Sequence, residues 1–354
     1  MDGTMREQIQ ALKEKADTWG DKIKTSWLPR DLAHQGKSSM IWAALKYPLP
    51  ACTITEKEGE MITKELYKSL LPKLGANRNF PHVYRYAPAS LQGLELPLIY
   101  VEQEIGHLHQ ILTHGAINST TGSLMWISLE QGQLEVGIGT PFLEASFESY
   151  GFLLTDIWWK TVWEFIWKHG IRLTYPDQFL PPLQCTGDVF IMDLLCSRTE
   201  LTQSKILSCN RCRLALEAIT LADIVNGAGS RITDDAATLQ PVDSRPSQWI
   251  WPRKHPSHSR DLNAWWKGLH LISSHNFLLD CFQRLGNWTY PSHKQWDWYH
   301  DPAAGELYHR STELWEVYTP SSHRRTRHRW WERSDVTLTL PATANRAMAW
   351  IDQY

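Results

Sequence analysis

The densest run of apolar positions in the chain lies between Gly151 and Gly170 and carries four of its 19 tryptophans. Charged residues recur in this run at a spacing of four, as Asp156, Lys160, Glu164 and Lys168. On a helix this spacing gives one polar stripe with opposite charges as neighbours. The apolar arc that remains is too wide for a helix lying on a surface, so the pattern predicts a core helix with several elements packed around it. A membrane span is disfavoured, because each of these charges would be costly in hydrocarbon.

Helical periodicity of apolar residues recurs through most of the N-terminal two thirds of the chain. The predicted helices cover residues 4–23, 38–46, 55–71, 98–115, 121–133, 188–196 and 201–225. Thr55 followed by Glu58 has the form of a capping box, and Pro72 with Gly75 is expected to close that helix. Residues 264–285 could return to helix.

Beyond residue 288 the apolar period falls towards two, which is typical of short strands separated by turns. The predicted strands are KQWDWYH, GELYHR, ELWEVYT, HRWWER and DVTLTL. The fold class predicted from both patterns is α+β, mainly α-helical, with a small antiparallel β region near the C-terminus. The expected organisation is a helical domain 1–136, a helical domain 137–233 around the Trp-rich helix, a basic Pro/Ser/Trp connector 234–262 and an α+β region 263–354.

Composition places the chain among ordinary globular proteins, with 42% apolar and 21% charged residues. The formal net charge of -2 indicates no particular partner. The first 20 residues are charged and helical without the apolar segment of a signal peptide, which predicts an intracellular protein, cytoplasmic or nuclear. Six cysteines in 354 residues are too sparse for a disulfide scaffold and are expected to be reduced.

Three short motifs suggest chemistry, but each is incomplete. Residues 36–38 match the end of a phosphate-binding P-loop, yet the first glycine of that motif and its preceding strand are missing. The Cys209–Cys212 pair has half of a zinc spacing that Cys185 and Cys196 could complete, but it lies within a helical pattern. The Asp234–Asp235 pair has no apolar strand beside it, as a polymerase metal site would. We therefore predict no catalytic residue, no cofactor and no metal.

Two basic segments that contain tryptophan are the better candidates for a binding site. The first carries Arg245, Arg253, Lys254 and Arg260; the second carries Arg324, Arg325, Arg327, Arg329, Trp330 and Arg333. Arginine neutralises phosphates and aromatic rings stack on unpaired bases, so this mixture suits RNA or an RNA–DNA hybrid. The alternative is a solvated cationic face whose tryptophans belong to the core.

The order of motifs over most of residues 10–255 resembles the segment that follows the palm in reverse-transcriptase polyproteins of non-LTR-like retroelements. The resemblance is carried by LKYPLP, LPKLG, LQGLELP, GDVFIMDLL, NRCRLALEAITLADIVNGAG and SRPSQWIWP. In that family a helical thumb has a Tyr-Pro-Leu turn, a further helix that ends near Leu-Pro-Lys-Leu-Gly, and then a Gly-Leu-x-Leu-Pro stretch. Tyr47, Pro48, Leu49, Pro72, Gly75, Gly93, Leu94 and Pro97 match those positions.

The resemblance implies a thumb and C-terminal region without its catalytic domains. Fingers and palm, with the Tyr/Phe-x-Asp-Asp hairpin, would lie upstream of residue 1 and would be the missing partners of an RNA-directed DNA polymerase. The chain alone is then expected not to be an enzyme, to have no membrane partner, and to grip template and primer. The competing hypothesis is a helical scaffold or protein-interaction protein that binds no nucleic acid.

Overall fold

A computed structural model of the chain describes residues 5–117, 119–173, 180–225, 229–239, 249–252, 259–279, 285, 298–301, 303–311, 314–320 and 331–346. It separates into two compact units. The first consists of Met1–Gly132 and Leu143–Thr174, and the second of Gln133–Phe142 and Tyr175–Tyr354. Each unit has its own architecture.

The first unit is helical. Its helices are α1 (Arg6–Thr25), α2 (Arg30–Gly36), a π-helical segment (Lys37–Trp42), α3 (Ala43–Lys46), α4 (Glu56–Lys73), α5 (His82–Tyr86), α6 (Ile99–Gly115), α7 (Thr120–Val136), α8 (Phe147–Tyr150) and α9 (Ile157–His169). The end of α7 belongs to the second unit. Helices α1 and α4 pack closely, since a Cβ on Gly20 would lie 3.3 Å from the Leu66 Cα.

The capping box predicted for α4 is confirmed, with Thr55 and Glu58 each bonding the other's backbone N–H. The helix runs to Lys73, past the predicted end at Leu71. Pro72 lies in the last turn, where it removes only its own N–H, and the Leu74 N–H still bonds the Leu70 carbonyl at 3.0 Å.

The Trp-rich helix is α9, and its ends have local causes. The Asp156 carboxylate accepts hydrogen bonds from the N–H groups of Trp158, at 2.9 Å, and Trp159, at 3.2 Å. Gly170 ends the helix with a positive φ of 63°, a conformation that glycine adopts without a steric penalty.

The predicted breadth of burial around α9 was too large. Its buried residues are Trp159, Val162, Trp163, Phe165 and Ile166, which form one side of the helix. Ile157 and Trp167 are exposed, as are Asp156, Glu164 and Lys168 of the polar stripe, whereas Lys160 is half-buried. Lys168 of that stripe pairs with Glu56 at 2.8 Å, a partner from α4 and not from its own helix.

Helix α9 lies with the N-terminal helices in the first unit, whereas the sequence grouped it with residues 175–233. Aromatic contacts with α6 account for this placement. The Trp158 ring lies 4.7 Å from that of His107, and the Phe165 ring meets that of Tyr100 edge-on at 5.8 Å. The predicted domain boundaries therefore differ from the compact units of the structure.

The second unit begins with helices and ends with a sheet. The helices are α10 (Ile191–Cys196), α11 (Gln203–Ala215), α12 (Asp234–Thr238) and α13 (Ser259–Ile272). Trp265 of α13 is fully buried and its indole N–H donates to the Ala236 carbonyl at 2.9 Å. Because α12 and the start of α13 fall within 234–262, the segment predicted as an extended connector contains helix at both ends.

The sheet confirms the predicted fold class. Its strands are β1 (Trp298–Asp301), β2 (Glu306–Ser311), β3 (Leu314–Pro320), β4 (Trp331–Thr337) and β5 (Asn345–Arg346), antiparallel in the order β4-β3-β2-β1-β5. Leu307, Tyr308 and Val317 are its buried apolar residues. The expected strands HRWWER and DVTLTL contribute to a single strand, β4, which ends at Thr337.

Candidate nucleic-acid interface

The arginine-rich segment connects two neighbouring strands of the sheet. Strand β3 ends at Pro320 and β4 begins at Trp331, and these two residues are paired. The ten residues between them carry Arg324, Arg325, Arg327, Arg329 and Trp330, all of which lie outside the described residues. The described strands fix where this connection leaves the sheet and where it returns.

Arg333 follows this connection on β4, and its side chain is 60% exposed. One guanidinium N–H donates to the Glu316 carboxylate at 3.1 Å. Arg333 was predicted to be a cation for phosphate, but in the structure it has a carboxylate neighbour on β3. The register of β3 and β4 explains this ion pair, because it places Arg333 directly opposite Tyr318. Tyr318 and Glu316 are two residues apart on β3 and therefore lie on the same face of the sheet.

Glu316 is the centre of a polar cluster on one face of the sheet. Its carboxylate accepts a hydrogen bond from the Tyr318 hydroxyl at 2.9 Å and lies 3.3 Å from His309 Nδ1. The hydrogen bonds from Tyr318 and His309 lower the pKa of the Glu316 carboxyl, and the first of them raises the pKa of the Tyr318 hydroxyl. The cluster therefore keeps Glu316 ionised and Tyr318 protonated at neutral pH. The sequence predicted the strands, but it did not single out Glu316.

The other basic segment is anchored by its tryptophans. Trp249 and Trp251 pack against a buried cluster of Leu134, Phe190 and Ile219. These two rings are half-buried against the core of the second unit. Arg245, Arg253 and Lys254 lie outside the described residues.

Arg260 is exposed in the first turn of α13. Its neighbour Asp261 is buried and accepts two hydrogen bonds from the Arg211 guanidinium, at 3.0 and 2.6 Å. This forked ion pair holds the start of α13 on α11 and leaves Arg260 pointing to the surface. Arg260 and Arg333, the two described members of the predicted set, lie on separate elements.

Arg213 is a buried cation that could not be recognised from the sequence, because a lone arginine within a helical pattern gives no signal for burial. The side chain is fully buried on α11 and donates to Asn210 Oδ1 and to the carbonyls of Leu134, Glu135 and Ala218, at 2.6 to 3.0 Å. Burial lowers its pKa to about 9, which still leaves it charged at pH 7. The cation therefore caps the end of α7.

The absence of a side chain at Gly137 leaves room for the Arg213 guanidinium. A Cβ at Gly137 would lie 2.6 Å from the arginine Cζ, and the glycine has a φ of +71°. Any larger residue would collide with the guanidinium and would strain the backbone.

Of the neighbouring cysteines, Cys209 and Cys212 are buried and Cys196 is half-buried. Burial raises the pKa values of Cys196, Cys209 and Cys212 to about 12 each, so they are protonated at neutral pH. The Cys209 thiol donates to the Ala264 carbonyl at 3.2 Å. In the part of the chain that the structure describes, no group of three or more His, Cys, Asp or Glu side chains could hold a metal ion.

The paired aspartates and the P-loop-like motif both make hydrogen bonds or ion pairs within the fold. Asp234 and Asp235 form the first turn of α12, Thr233 is its N-cap, and Asp234 pairs with Arg231 at 2.9 Å. Lys37 of the P-loop-like motif donates to the Leu94 carbonyl at 3.2 Å.

A buried polar row on α6 fixes the chain before α4. The Gln103 amide bonds both the N–H and the carbonyl of Ile54, at 2.8 and 3.2 Å. His107 Nε2 donates to the Cys52 carbonyl at 2.9 Å, and His107 Nδ1 lies 3.1 Å from Glu104 Oε2. The Gln103, Glu104 and His107 side chains are fully buried, and these hydrogen bonds tie α6 to residues 52–54.

Among the helices within the described ranges, none combines the length and apolarity needed to cross a membrane. Comparison of the chain with protein-family models, with curated proteins and with solved structures gives no match.

Proposed function

We propose that this chain is the thumb and C-terminal region of a retroelement reverse transcriptase, catalytically incomplete by itself, and that it binds template–primer nucleic acid. The observation that carries the proposal is the pairing of Pro320 with Trp331, which makes the arginine-rich segment the connection between two adjacent strands. Residues 321–330 contain four arginines and no acidic residue. Arginine is rarely buried without a partner, so a connection of this composition is suited to neutralising phosphates.

The residues that carry the family resemblance support the proposal through their backbone roles. Pro48 precedes a 3₁₀ turn at Leu49–Ala51, and Gly75 follows α4 with a φ of +82°. A Cβ at Gly93 would lie 1.9 Å from the Ala87 carbonyl oxygen. Gly75 and Gly93 are positions where the backbone requires glycine, so their match to the family concerns the shape of a helical thumb.

Binding without phosphoryl transfer is the role that this proposal assigns. Polymerases hold their magnesium ions with carboxylates clustered across adjacent strands. Asp234 and Asp235 occupy a helix start instead. Catalysis would then require the fingers and palm as partner domains.

A protein-interaction role is the second candidate, and exposed apolar residues of α6 and α7 favour it. Ile105 and Leu112, seven residues apart, lie on one face of α6, and Leu124 of α7 is also exposed. An apolar surface of this kind suits a protein partner more than phosphates. The two candidates differ in how binding responds to salt.

The deciding experiment measures binding of the full chain to single-stranded RNA and to an RNA–DNA hybrid at several salt concentrations. The test variant replaces four arginines by glutamine: Arg324, Arg325, Arg327 and Arg329. The control variant makes the same change of charge on exposed residues of α1 and α4: Arg6, Lys57, Lys64 and Lys68. On single strands each lost phosphate contact reduces the log–log salt slope by roughly 0.7, so four contacts reduce it by about 3.

We expect the test variant to show this flatter slope and the control variant to match the parent. If both variants change the slope equally, binding is a general charge effect and the segment has no special role. If the parent binds neither nucleic acid at low salt, the proposal fails and the protein-interaction role is preferred.

A further inference from the structure

Trp27 is the most exposed large apolar side chain in the described part of the first unit. It lies between α1 and α2 and is 96% exposed, nearly as much as in an unfolded chain. Burying an indole is strongly favourable, so a tryptophan left in water at a rigid position is available to a ligand.

The backbone on both sides of Trp27 is fixed. The Ser26 N–H bonds the Lys22 carbonyl at 3.1 Å, and the Ser26 carbonyl accepts a hydrogen bond from Lys73 Nζ at 2.7 Å. Leu28, on the other side, packs against the core of the unit. A ligand that stacks on the ring would therefore lose little free energy in ordering the chain.

Three cations lie near this position, two of them as neighbours in sequence and one through a hydrogen bond to Ser26. Lys24 lies in the last turn of α1, and Lys73 is bound to the residue next to Trp27. The Arg30 guanidinium lies against Gly75, with its Cζ 3.4 Å from the place of a Cβ there. All three are exposed or partly exposed, and each has more N–H donors than these contacts use.

Acidic residues do not cancel this charge. Asp21 and Asp31 are the two carboxylates between residues 20 and 31, and the same stretch with Lys73 contains four cations. The Lys22 ammonium lies 5.4 Å from the Trp19 ring centroid, on α1 itself. The residues next to Trp27 in the chain therefore carry more positive than negative charge, and the Trp27 ring is exposed.

We propose that Trp27 is a stacking site for one base of a single-stranded nucleic acid, and that Lys24, Arg30 and Lys73 neutralise the adjoining phosphates. This inference rests on the proposed function and adds a contact in the first unit. An exposed ring beside cations is the combination by which proteins bind single strands without reading their sequence. A protein hot spot would instead be enclosed by apolar neighbours that exclude water.

The test compares two fluorescent probes of equal length, an oligouridylate and an abasic oligonucleotide, in binding titrations with the full chain. Trp27→Ala should weaken oligouridylate binding about tenfold and leave abasic binding unchanged, because the lost interaction is with a base. Trp27→Phe retains a ring and should recover most of the affinity. Tyr47→Ala is the matched control, since Tyr47 is also at a helix end and 89% exposed, and should bind as the parent does.

The cations are tested by a second pair of variants. Arg30→Gln and Lys73→Gln should weaken both probes equally and should each reduce the salt slope by roughly 0.7. Melting temperatures of all variants are measured alongside, because Lys73→Gln also removes the bond to the Ser26 carbonyl. A Trp27 variant should melt as the parent does, since its side chain is in solvent.

Three results would overturn the site. Equal binding of both probes by the parent and Trp27→Ala would refute the stacking role and leave the arginine-rich segment as the binding surface. A parent that binds neither probe at low salt would refute the site and the proposed function together. The third result combines unchanged RNA binding with a loss of self-association, measured by sedimentation, that is equal in Trp27→Ala and Leu32→Ala. It would show that these exposed residues bind a second copy of the chain.

Discussion

Replacing Trp163 by alanine should destabilise the first unit severely. The side chain is 0% exposed, its indole N–H donates to the Ala145 carbonyl at 3.0 Å, and its ring meets Phe147 edge-on at 5.4 Å. Removing it opens a cavity at the centre of the packed side of α9. Ala145 is only half-buried, so water can replace the lost hydrogen bond, and the cost comes mainly from packing.

The magnitude follows from the buried area. An aromatic side chain buries ~150–250 Å², which at ~25 cal/mol per Å² corresponds to roughly 4–6 kcal/mol as an upper bound. Truncation of buried tryptophan typically costs ~3–5 kcal/mol. For a unit of this size, each kcal/mol lowers the melting temperature by about 2–4 °C, so we expect a fall of roughly 10 °C.

Two other tryptophans of the same unit provide the comparison. Trp167, one turn later on α9, is 43% exposed, and Trp27 is 96% exposed. The same substitution should therefore cost about half as much at Trp167 and almost nothing at Trp27. Urea denaturation with an unchanged m-value gives the three differences in the free energy of unfolding.

The second unit needs its own reference, because two compact units can unfold separately. Trp265 is fully buried there, so Trp265→Ala should shift a different transition from Trp163→Ala. If Trp163→Ala melts within a degree or two of the parent, or costs no more than Trp27→Ala, then α9 is peripheral and this account of the core is refuted.

Arg213→Met should lower the free energy of unfolding in urea denaturation by at least ~3 kcal/mol, because it leaves buried acceptors on three segments without a donor. Arg213→Lys should recover little of this loss, since lysine lacks the planar guanidinium with its several N–H donors. Stability should fall above pH 9, because the Cys209 and Cys212 thiols titrate at 9.0 when unfolded but at about 12 when folded, so the unfolded state loses protons first. A Cys209→Ala, Cys212→Ala variant should lose part of this slope; an identical slope would contradict the assignment. The purified chain should extend no primer on an RNA template, and extension that Asp235→Asn abolishes would overturn the proposed role.

The sequence by itself determined most of the local structure. Thr55 and Glu58 cap α4 through their own side chains, and a period near 3.6 or near 2 separates the helices from the C-terminal strands. These signals involve residues a few positions apart, so they are readable along the chain. The Trp-rich helix and its charged stripe were likewise predicted from the spacing of neighbouring residues.

Only the tertiary structure decided which faces of these elements meet and which polar groups find partners. Lys168 pairs with Glu56, 112 residues away, and Arg333 meets Glu316 only because β3 and β4 adopt one register. Arg213 is a buried cap for α7, although nothing near it in the sequence marks it as buried. Burial and ion pairing depend on contacts between segments that are distant in sequence. The free energy that selects those contacts is a property of the whole packed unit, so no local sequence pattern predicts it.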